Sequence, residues 1–243
     1  MEKIKKGYYQ LIVSGCDWGG SDYNPAIKTK TSYSVHTVLG VAPDGCVDIL
    51  HTKRYAGMDY REIINDILAN HKKYNARAIA SDFGVGMAYN MLIRDVVPWQ
   101  NHFIMQFVGP DKKPFSAVKD SQLANHFNLN KTEIITNIFT AVKQKTIRSK
   151  SWEDTETFLM DFMHVFRAPY ETNTGATTFK WVRNPRLADD TLMATCFAYV
   201  LIKLFNGEKL VEDKSLERQI LSTLYGRVIQ PSVMNFIPTV ISG

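Results

Sequence analysis

Three acidic positions in this sequence stand where they could perform chemistry. Asp17 follows the apolar run 8–16 and precedes Trp-Gly-Gly, and Asp82 follows a second apolar run and precedes Phe-Gly-Val-Gly. The third position is the pair Asp189 and Asp190, which precedes an apolar stretch with helical spacing. Carboxylates gathered at one point repel each other unless a cation neutralises them, and hard oxygen ligands favour Mg²⁺ or Mn²⁺. The pattern therefore predicts a site for divalent cations.

The chemistry available to such a site is phosphodiester hydrolysis. Two divalent ions, roughly 3.5–4 Å apart, can clamp an in-line attack at phosphorus, one activating water and the other stabilising the leaving 3′-oxygen. Each acid also has a plainer interpretation as a turn former, a helix cap or a complement to a helix dipole. The combination favours catalysis, because two D-(W/F)-G strand ends and one doubly acidic helix start occur in the same chain.

The elements that must position these acids are predicted from hydrophobic periodicity and turn residues. The predicted strands cover 8–16, 33–42, 46–55, 77–81, 103–108, 165–168 and 177–182, and the predicted helices begin near 59, 86, 130, 151, 188 and 214. The stretch 109–130 is rich in Pro, Lys, Asp and Asn and is predicted to be irregular. This order implies an α/β fold with a mixed central β-sheet, its first three strands antiparallel, flanked by helices on both faces.

The segments around the acids resemble the nuclease domain of the tailed-phage terminase large subunit. They read VSGCDWGG at 13–20, ASDFGVG at 80–86 and LADDTLMA at 187–194. The resemblance extends over residues 8–205, and the Asp-Asp pair before an apolar helix is its most specific part. It implies an RNase H-like fold, similar to that of the RuvC-type junction resolvases.

The resemblance also implies roles for single residues. It implies that Asp17 bridges two metal ions, that Asp82 binds one, and that Asp190 completes the site, so that these three are the expected catalytic residues. Together with Asp189 they are expected to bind two divalent cations, Mg²⁺ or Mn²⁺. Resolvases of this fold place a further ligand three residues before the helix Asp, but that position is Leu187 here, which cannot ligate. More weight therefore falls on Asp189, and the division of the metals between Asp189 and Asp190 stays open.

The function implied by the resemblance is a metal-dependent DNA endonuclease, largely sequence-nonspecific, that cuts concatemeric viral DNA during genome packaging. Two alternatives stay open: a RuvC-type Holliday junction resolvase, and a non-catalytic DNA- or portal-binding module of the same fold. The sequence contains no G-x-x-x-x-G-K-[ST] motif, so we expect no ATPase in this chain. Because full terminase large subunits carry a packaging ATPase, we expect either an excised domain or a separate nuclease.

Basic residues are concentrated in three places. The formal net charge of +5 suits a nucleic-acid partner without requiring one. One cluster extends over 112–150, a second precedes the acidic pair, and a third lies in the first hairpin loop. A solvated face is the alternative for each, but closeness to the acids favours phosphate contact at 180–186. The candidate DNA-binding residues are Lys28, Lys30, Lys112, Lys113, Lys180, Arg183 and Arg186.

The resemblance and the composition also set expectations for domains, partners and compartment. We expect residues 1–207 to form the nuclease domain and 208–243 to form a tail that docks on the portal. The implied partners are double-stranded viral DNA, the portal protein and the small terminase subunit. Three cysteines without a C-x-x-C pair argue against a disulfide framework or structural zinc, and the apolar run 192–205 is too short to span a bilayer. We expect a soluble protein of the host cytoplasm, absent from the mature virion.

Overall fold

The chain, in a computed structural model, is built around one mixed β-sheet of eight strands. The structure describes residues 7–19, 23–24, 29–30, 32–84, 86–118, 121, 123, 125–149 and 152–207, with the backbone alone at 23–24, 29–30, 152–154 and 157. Lys28, the helix predicted near 214 and the whole segment 208–243 lie outside these residues.

The elements follow each other in an order close to the predicted one. The strands are β1 (Leu11–Asp17), β2 (Tyr23–Asn24), β3 (Thr29–Lys30), β4 (Ser34–Val41), β5 (Val47–Tyr55), β6 (Ala78–Asp82), β7 (His102–Val108), β8 (Phe115–Ala117), β9 (His126–Asn130), β10 (Ile147–Ser149), β11 (Val165–Glu171) and β12 (Thr177–Arg183). The α-helices are α1 (Tyr60–Tyr74), α2 (Met87–Arg94), α3 (Lys131–Lys143), α4 (Trp152–Leu159) and α5 (Asp190–Phe205), and short 3₁₀ helices cover Trp99–Asn101 and Met160–His164.

The sheet has the strand order β10-β5-β4-β1-β6-β7-β9-β8. β1, β4 and β5 pair antiparallel, as predicted, whereas β6, β7 and β9 continue from β1 in parallel. β11 and β12 form a separate antiparallel hairpin. Because β1 and β6 are parallel neighbours, their carboxyl ends, Asp17 and Asp82, lie at the same edge of the sheet.

Helices cover both faces of the sheet. α5 packs on β1, β4 and β6, with α3 beside it, and α1 and α2 cover the opposite face. Every residue of α5 except Lys203 is buried. A helix that is apolar on all sides is expected to be enclosed in this way. Within the described ranges, no helix has the length and apolar character needed to cross a membrane.

One local prediction is wrong, and one strand was missed. The stretch 109–130, predicted to be irregular, contains β8 and β9, and the three-residue strand β10 was not predicted. At the start of α3 the Asn130 side chain accepts from the N–H of Glu133 at 3.1 Å and caps the helix. At the start of α1 the Asp59 side chain accepts from the N–H of Arg61 and caps that helix.

Candidate metal centre

Asp17 and Asp82 project from the same face of the sheet. β1 and β6 pair in parallel, with the residues that precede these two acids in register. Side chains alternate between the faces of a strand. Val13 of β1 and Ala80 of β6 belong to the core beneath α5, and the two acids have the same parity along their strands. Both carboxylates therefore lie on the α5 side, at the carboxyl edge of the sheet.

The start of α5 brings the third acid to this edge. α5 begins at Asp190 and packs on β1 and β4. The Asp190 carboxylate accepts hydrogen bonds from the hydroxyl of Ser32 and from the backbone N–H of Tyr33, both at 3.1 Å. Ser32 and Tyr33 lead directly into β4, the strand beside β1. Asp190 is therefore anchored to the neighbour of the strand that carries Asp17.

Asp189 has different partners from those of Asp190. Its carboxylate lies 3.8 Å from Nζ of Lys131 and 3.5 Å from Nη1 of Arg183. Lys131 opens α3 and Arg183 closes β12, so the two cations come from elements outside the strands that carry Asp17 and Asp82. Asp189 and Asp190 are nonetheless both buried, at 5% and 3% exposure. Two adjacent acids thus have distinct surroundings: Asp190 is hydrogen-bonded to neutral donors, and Asp189 forms ion pairs with two basic side chains.

The carboxylates are close enough to perturb each other's ionisation. Burial raises the pKa of Asp17 well above its ordinary value, and the charges of Asp190, Asp82 and Asp189 raise it further. The ammonium of Lys131 opposes this effect. Burial also raises the pKa of Asp82 and of Asp190 to about 6, although N–H donors lower both. Desolvation and like charge both disfavour ionised carboxylates, so the cluster holds an excess of negative charge that a cation would relieve.

The turn after β6 explains why glycine follows Asp82 at this spacing. The backbone N–H groups of Phe83 and Gly84 donate to the Asp82 carboxylate and lower its pKa. A Cβ atom at Gly84 would stand 2.3 Å from Oδ2 of Asp82. A side chain at that position would therefore displace the carboxylate from the N–H groups that hold it.

The donor set suits a hard divalent cation. Asp17, Asp82, Asp189 and Asp190 offer carboxylate oxygens, the ligand type that Mg²⁺ and Mn²⁺ prefer. In the part of the chain that the structure describes, no three His, Cys, Asp or Glu side chains already surround one point as a metal site. Instead, hydroxyl, N–H and cationic groups engage the oxygens of the last two acids. A cation would have to exchange for some of these contacts.

A buried ion pair holds the start of α5, and no motif in the sequence indicated it. Nη2 of Arg54 donates to both carboxylate oxygens of Asp161, at 2.7 and 2.8 Å, and Asp161 is 1% exposed. Oδ2 of Asp161 also accepts from the N–H of Thr191 at 3.0 Å. The Arg54 guanidinium lies 4.8 Å from the ring centroid of Tyr33. The pair therefore contacts both segments that flank Asp190, the first turn of its helix and the residue that hydrogen-bonds to it.

The fold is similar to that of solved nuclease domains. No protein-family model and no curated protein sequence matches the chain. The large terminase nuclease from the thermophilic phage G20c superposes with a TM-score of 0.50 and 18% identity, over 78% of this chain and 81% of that one. A mutant of the bacteriophage Sf6 large terminase subunit, solved with calcium, has a TM-score of 0.53 and 12% identity, over 81% and 91%. A mutant Sf6 nuclease domain with manganese gives 0.50 and 12%, over the same shares.

The chain has the fold of a phage large terminase nuclease domain. The predicted RNase H-like architecture is therefore confirmed: a mixed sheet, antiparallel in its first three long strands, with helices on both faces. At identities of 12–18% the likeness extends to the fold alone.

On this terminase nuclease fold, the basic residues before α5 do not form one group. Arg183 reaches the acidic cluster through its ion pair with Asp189. Lys180 projects from the opposite face of the β11–β12 hairpin, because residues three apart on a strand alternate. Its ammonium lies 5.1 Å from the ring centroid of Tyr170. Arg186 is exposed in the turn before the helix.

The other basic candidates lie near the start of α3 or in the first hairpin. Lys112 and Lys113 are exposed in a loop that Asn130 anchors, since its Nδ2 donates to the carbonyls of Pro110 and Lys112 at 3.1 and 2.8 Å. Lys30 lies in β3, which is described by its backbone alone. The structure adds Lys131, which the sequence showed only as one member of the basic stretch 112–150.

Proposed function

We propose that this chain is a metal-dependent endonuclease and that Asp17, Asp82 and Asp190 are its catalytic metal-binding residues. The observation that carries the proposal is the convergence of carboxylates from β1, β6 and α5 at one edge of the sheet, each with a raised pKa. Asp189 is the proposed fourth ligand. Two divalent cations, Mg²⁺ or Mn²⁺, would supply an activated water and a counter-charge for the leaving oxygen when bound there.

The basic residues around the cluster are the proposed phosphate contacts. Lys131 and Arg183 already lie beside the acids, where the backbone of a bound duplex would bring its own negative charge. Lys112 and Lys113 would extend this positive path along the loop before α3. Contacts to phosphate fix the position of DNA without reading its sequence. Cleavage is therefore proposed to be largely sequence-nonspecific.

The biological role is proposed from the likeness of the fold. The similar structures are described as large terminase nucleases or subunits of phages. We therefore propose that the substrate is concatemeric viral DNA, cut during genome packaging in the host cytoplasm, and that the portal protein and small terminase subunit are partners. Residues 1–207 are the proposed nuclease domain and 208–243 a proposed portal-docking tail. We expect no ATP hydrolysis by this chain, because its sequence contains no G-x-x-x-x-G-K-[ST] motif.

Plasmid cleavage tests the proposal. The wild-type chain should nick and linearise supercoiled plasmid in Mn²⁺ or Mg²⁺ and should be inactive in EDTA. Asp17→Asn removes one charge at nearly constant volume and should slow cleavage more than about 100-fold, since even groups behind metal ligands change affinity or activity 10–100-fold. Asp95→Asn, at an exposed position after α2, is the matched control.

Three results would contradict or change the proposed function. Cleavage by Asp17→Asn at the wild-type rate would show that the acids are not catalytic. Preference for a four-way junction over linear duplex in the same buffer would favour a junction resolvase, whose chemistry would be shared. Calorimetry that detects no Mn²⁺ binding to the wild-type chain would favour a non-catalytic DNA- or portal-binding module.

A further inference from the structure

Asn90 of α2 lies beneath the ends of both acid-bearing strands and is 1% exposed. Its Oδ1 accepts the hydroxyl of Ser81 at 2.6 Å and the indole N–H of Trp18 at 3.3 Å. Its Nδ2 donates to the backbone carbonyl of Asp82 at 2.9 Å. One amide thus bonds to the residue after Asp17, the residue before Asp82, and Asp82 itself. It joins the ends of β1 and β6 from the face opposite to the carboxylates.

The chemistry of these partners fixes the orientation of the amide. The indole nitrogen of Trp18 can only donate a hydrogen bond, and the carbonyl of Asp82 can only accept one. The oxygen of Asn90 must therefore face β1 and its nitrogen must face the end of β6. Rotation of the amide by half a turn would break both contacts, so a single arrangement satisfies the two strand ends together.

The partners of Asn90 are themselves held in place. Trp18 is 3% exposed and stacks on Tyr89, with ring centroids 4.6 Å apart and an interplanar angle of 16°. Ser81 is fully buried, and its hydroxyl lies 2.8 Å from Nε2 of His102. Because that hydroxyl donates to Asn90, it must accept from Nε2–H of His102. Burial lowers the pKa of His102 to about 3, which keeps the ring neutral in this chain of hydrogen bonds.

We propose that Asn90 is a positioning residue that sets the separation of the Asp17 and Asp82 carboxylates and thereby the affinity for divalent cations. It lies on the α2 side of the sheet, so it acts through the two strand ends and contacts neither cation nor DNA. The inference rests on the proposed nuclease function. Groups that orient metal ligands from behind change metal affinity 10–100-fold when they are removed. Loss of the shared amide frees both strand ends at once.

The test compares Asn90→Ala with Asn70→Ala. Asn70 lies on α1, and its Nδ2 donates to the carbonyl and carboxylate of Asp66 at 2.9 and 3.0 Å, away from the acidic cluster. Asn90→Ala should raise the Kd for Mn²⁺ about 10–100-fold by calorimetry, and saturating Mn²⁺ should restore most of its plasmid cleavage. Its KM for DNA should stay unchanged. Asn70→Ala should bind Mn²⁺ as the wild type does.

Two gentler variants keep the test decisive if Asn90→Ala does not fold. Trp18→Phe retains the stacking on Tyr89 but removes the indole N–H, and Ser81→Ala removes one hydroxyl. Each should weaken Mn²⁺ binding while its Tm stays close to that of Asn70→Ala. Wild-type Mn²⁺ affinity in Asn90→Ala, or in both gentler variants, would overturn the inference alone. A wild-type chain that neither binds Mn²⁺ nor cuts plasmid would overturn the proposed function and this inference with it.

Discussion

Gly15 in β1 lies directly against the backbone carbonyl of Ala194 in α5. A Cβ atom at Gly15 would stand 2.1 Å from that oxygen and 2.7 Å from the nitrogen of Ala198. Gly15 comes two residues before Asp17, and Ala194 follows Asp190 by about one helical turn. The absence of a side chain at this one position therefore lets strand and helix approach closely enough to bring their acids to the same edge.

Gly15→Ala should consequently impair both stability and metal binding. The added methyl group meets backbone atoms, which cannot rotate away, and overpacking of this kind costs about 1–3 kcal/mol. Urea unfolding measures this loss, and calorimetry should show weaker Mn²⁺ binding because α5 is displaced from β1. Gly109→Ala is the matched control, since a Cβ atom there meets nothing within 4 Å. Equal unfolding midpoints for the two variants would contradict the close-packing argument.

The acidic cluster should lower the stability of the metal-free protein as the pH rises. The pKa of Asp190 is raised from 3.8 to about 6 in the folded chain. Between about pH 4 and 6 the unfolded chain therefore holds fewer protons at this group, and its contribution to stability falls as pH rises. The shift corresponds to a loss of about 2–3 kcal/mol above pH 6. Asp190→Asn should thus be more stable than the wild type at pH 7.5 in EDTA.

The comparison with Asp190→Asn is needed because buried histidines act in the opposite direction. Burial lowers the pKa of His36 and of His102 to about 3, so their contribution to stability is lost as pH falls below about 6.5. Urea unfolding from pH 4.5 to 7.5 gives the free energy of unfolding of the wild type and of Asp190→Asn. The contribution of the histidines is the same in both proteins, so it cancels in the difference between them. A difference that stays constant over the range would contradict the raised pKa of Asp190.

The raised pKa values should also make Mn²⁺ binding depend on pH. Because carboxylates must lose their protons to bind a cation, the Mn²⁺ affinity of the wild type should fall as pH drops through about 6, with proton release on binding. Calorimetry in two buffers of different ionisation enthalpy measures that release directly. Saturating Mn²⁺ should also raise the Tm of the wild type at pH 7.5 and leave that of Asp17→Asn unchanged. Mn²⁺ binding without proton release at pH 6 would argue against these ligands.

The long elements of this fold could be predicted because the spacing of their apolar residues shows which sides of each element are buried. β1, α1 and α5 are of this kind. The short strands β8, β9 and β10 could not, because each has five residues or fewer, lacks an apolar run such as the one in the equally short β6, and depends on a distant partner. β9 pairs with β7 and β10 pairs with β5, and the residues within these short strands do not indicate which strand each will pair with.

The acidic positions were similarly accessible from sequence, whereas their surroundings were not. Strand ends before glycine and a doubly acidic helix start indicate an edge where carboxylates converge. The contrast between Asp189 and Asp190 arises from Lys131 and Arg183 on one side and Ser32 and Tyr33 on the other. Arg183 is close to the acids in sequence, but Lys131, Ser32 and Tyr33 come from two distant segments that only tertiary packing brings to the pair.

Arg183 and Lys180 should contribute differently to DNA binding. Arg183 lies beside the acidic cluster, whereas Lys180 projects from the other face of the hairpin. Arg183→Gln should weaken binding about equally for all duplex sequences and lower the slope of log K against log salt by about 1. Fluorescence anisotropy with a labelled duplex in EDTA measures binding without cleavage.

Lys180→Gln is the matched comparison for that measurement. It removes the same charge from the same strand, and a smaller change in the salt slope is expected for the face that points away from the acids. An equal change in both variants would mean that DNA contacts both faces of the hairpin. An unchanged slope in Arg183→Gln would remove that residue from the proposed DNA-binding set.

Variants of the buried ion pair between Arg54 and Asp161 should show that its effect on stability differs from its effect on metal binding. Asp161→Asn leaves the Arg54 charge without its partner and should cost about 3 kcal/mol, since breaking a buried pair costs about 3–5 kcal/mol and Arg54 is partly accessible. Asp44→Asn disrupts the exposed ion pair with Arg148 and should shift the urea midpoint far less, because solvent screens exposed ion pairs.

The double variant Arg54→Met with Asp161→Leu makes the distinction. Apolar replacement of a buried pair is often neutral for stability, so urea unfolding should recover towards the wild-type value. The N–H of Thr191 nevertheless loses its acceptor, and the first turn of α5 loses the contact that holds Asp190 in place. Mn²⁺ affinity should therefore remain reduced although the fold is restored. Recovery of both properties together would show that the pair serves stability alone, and the position of Asp190 would then depend on its bonds to Ser32 and Tyr33.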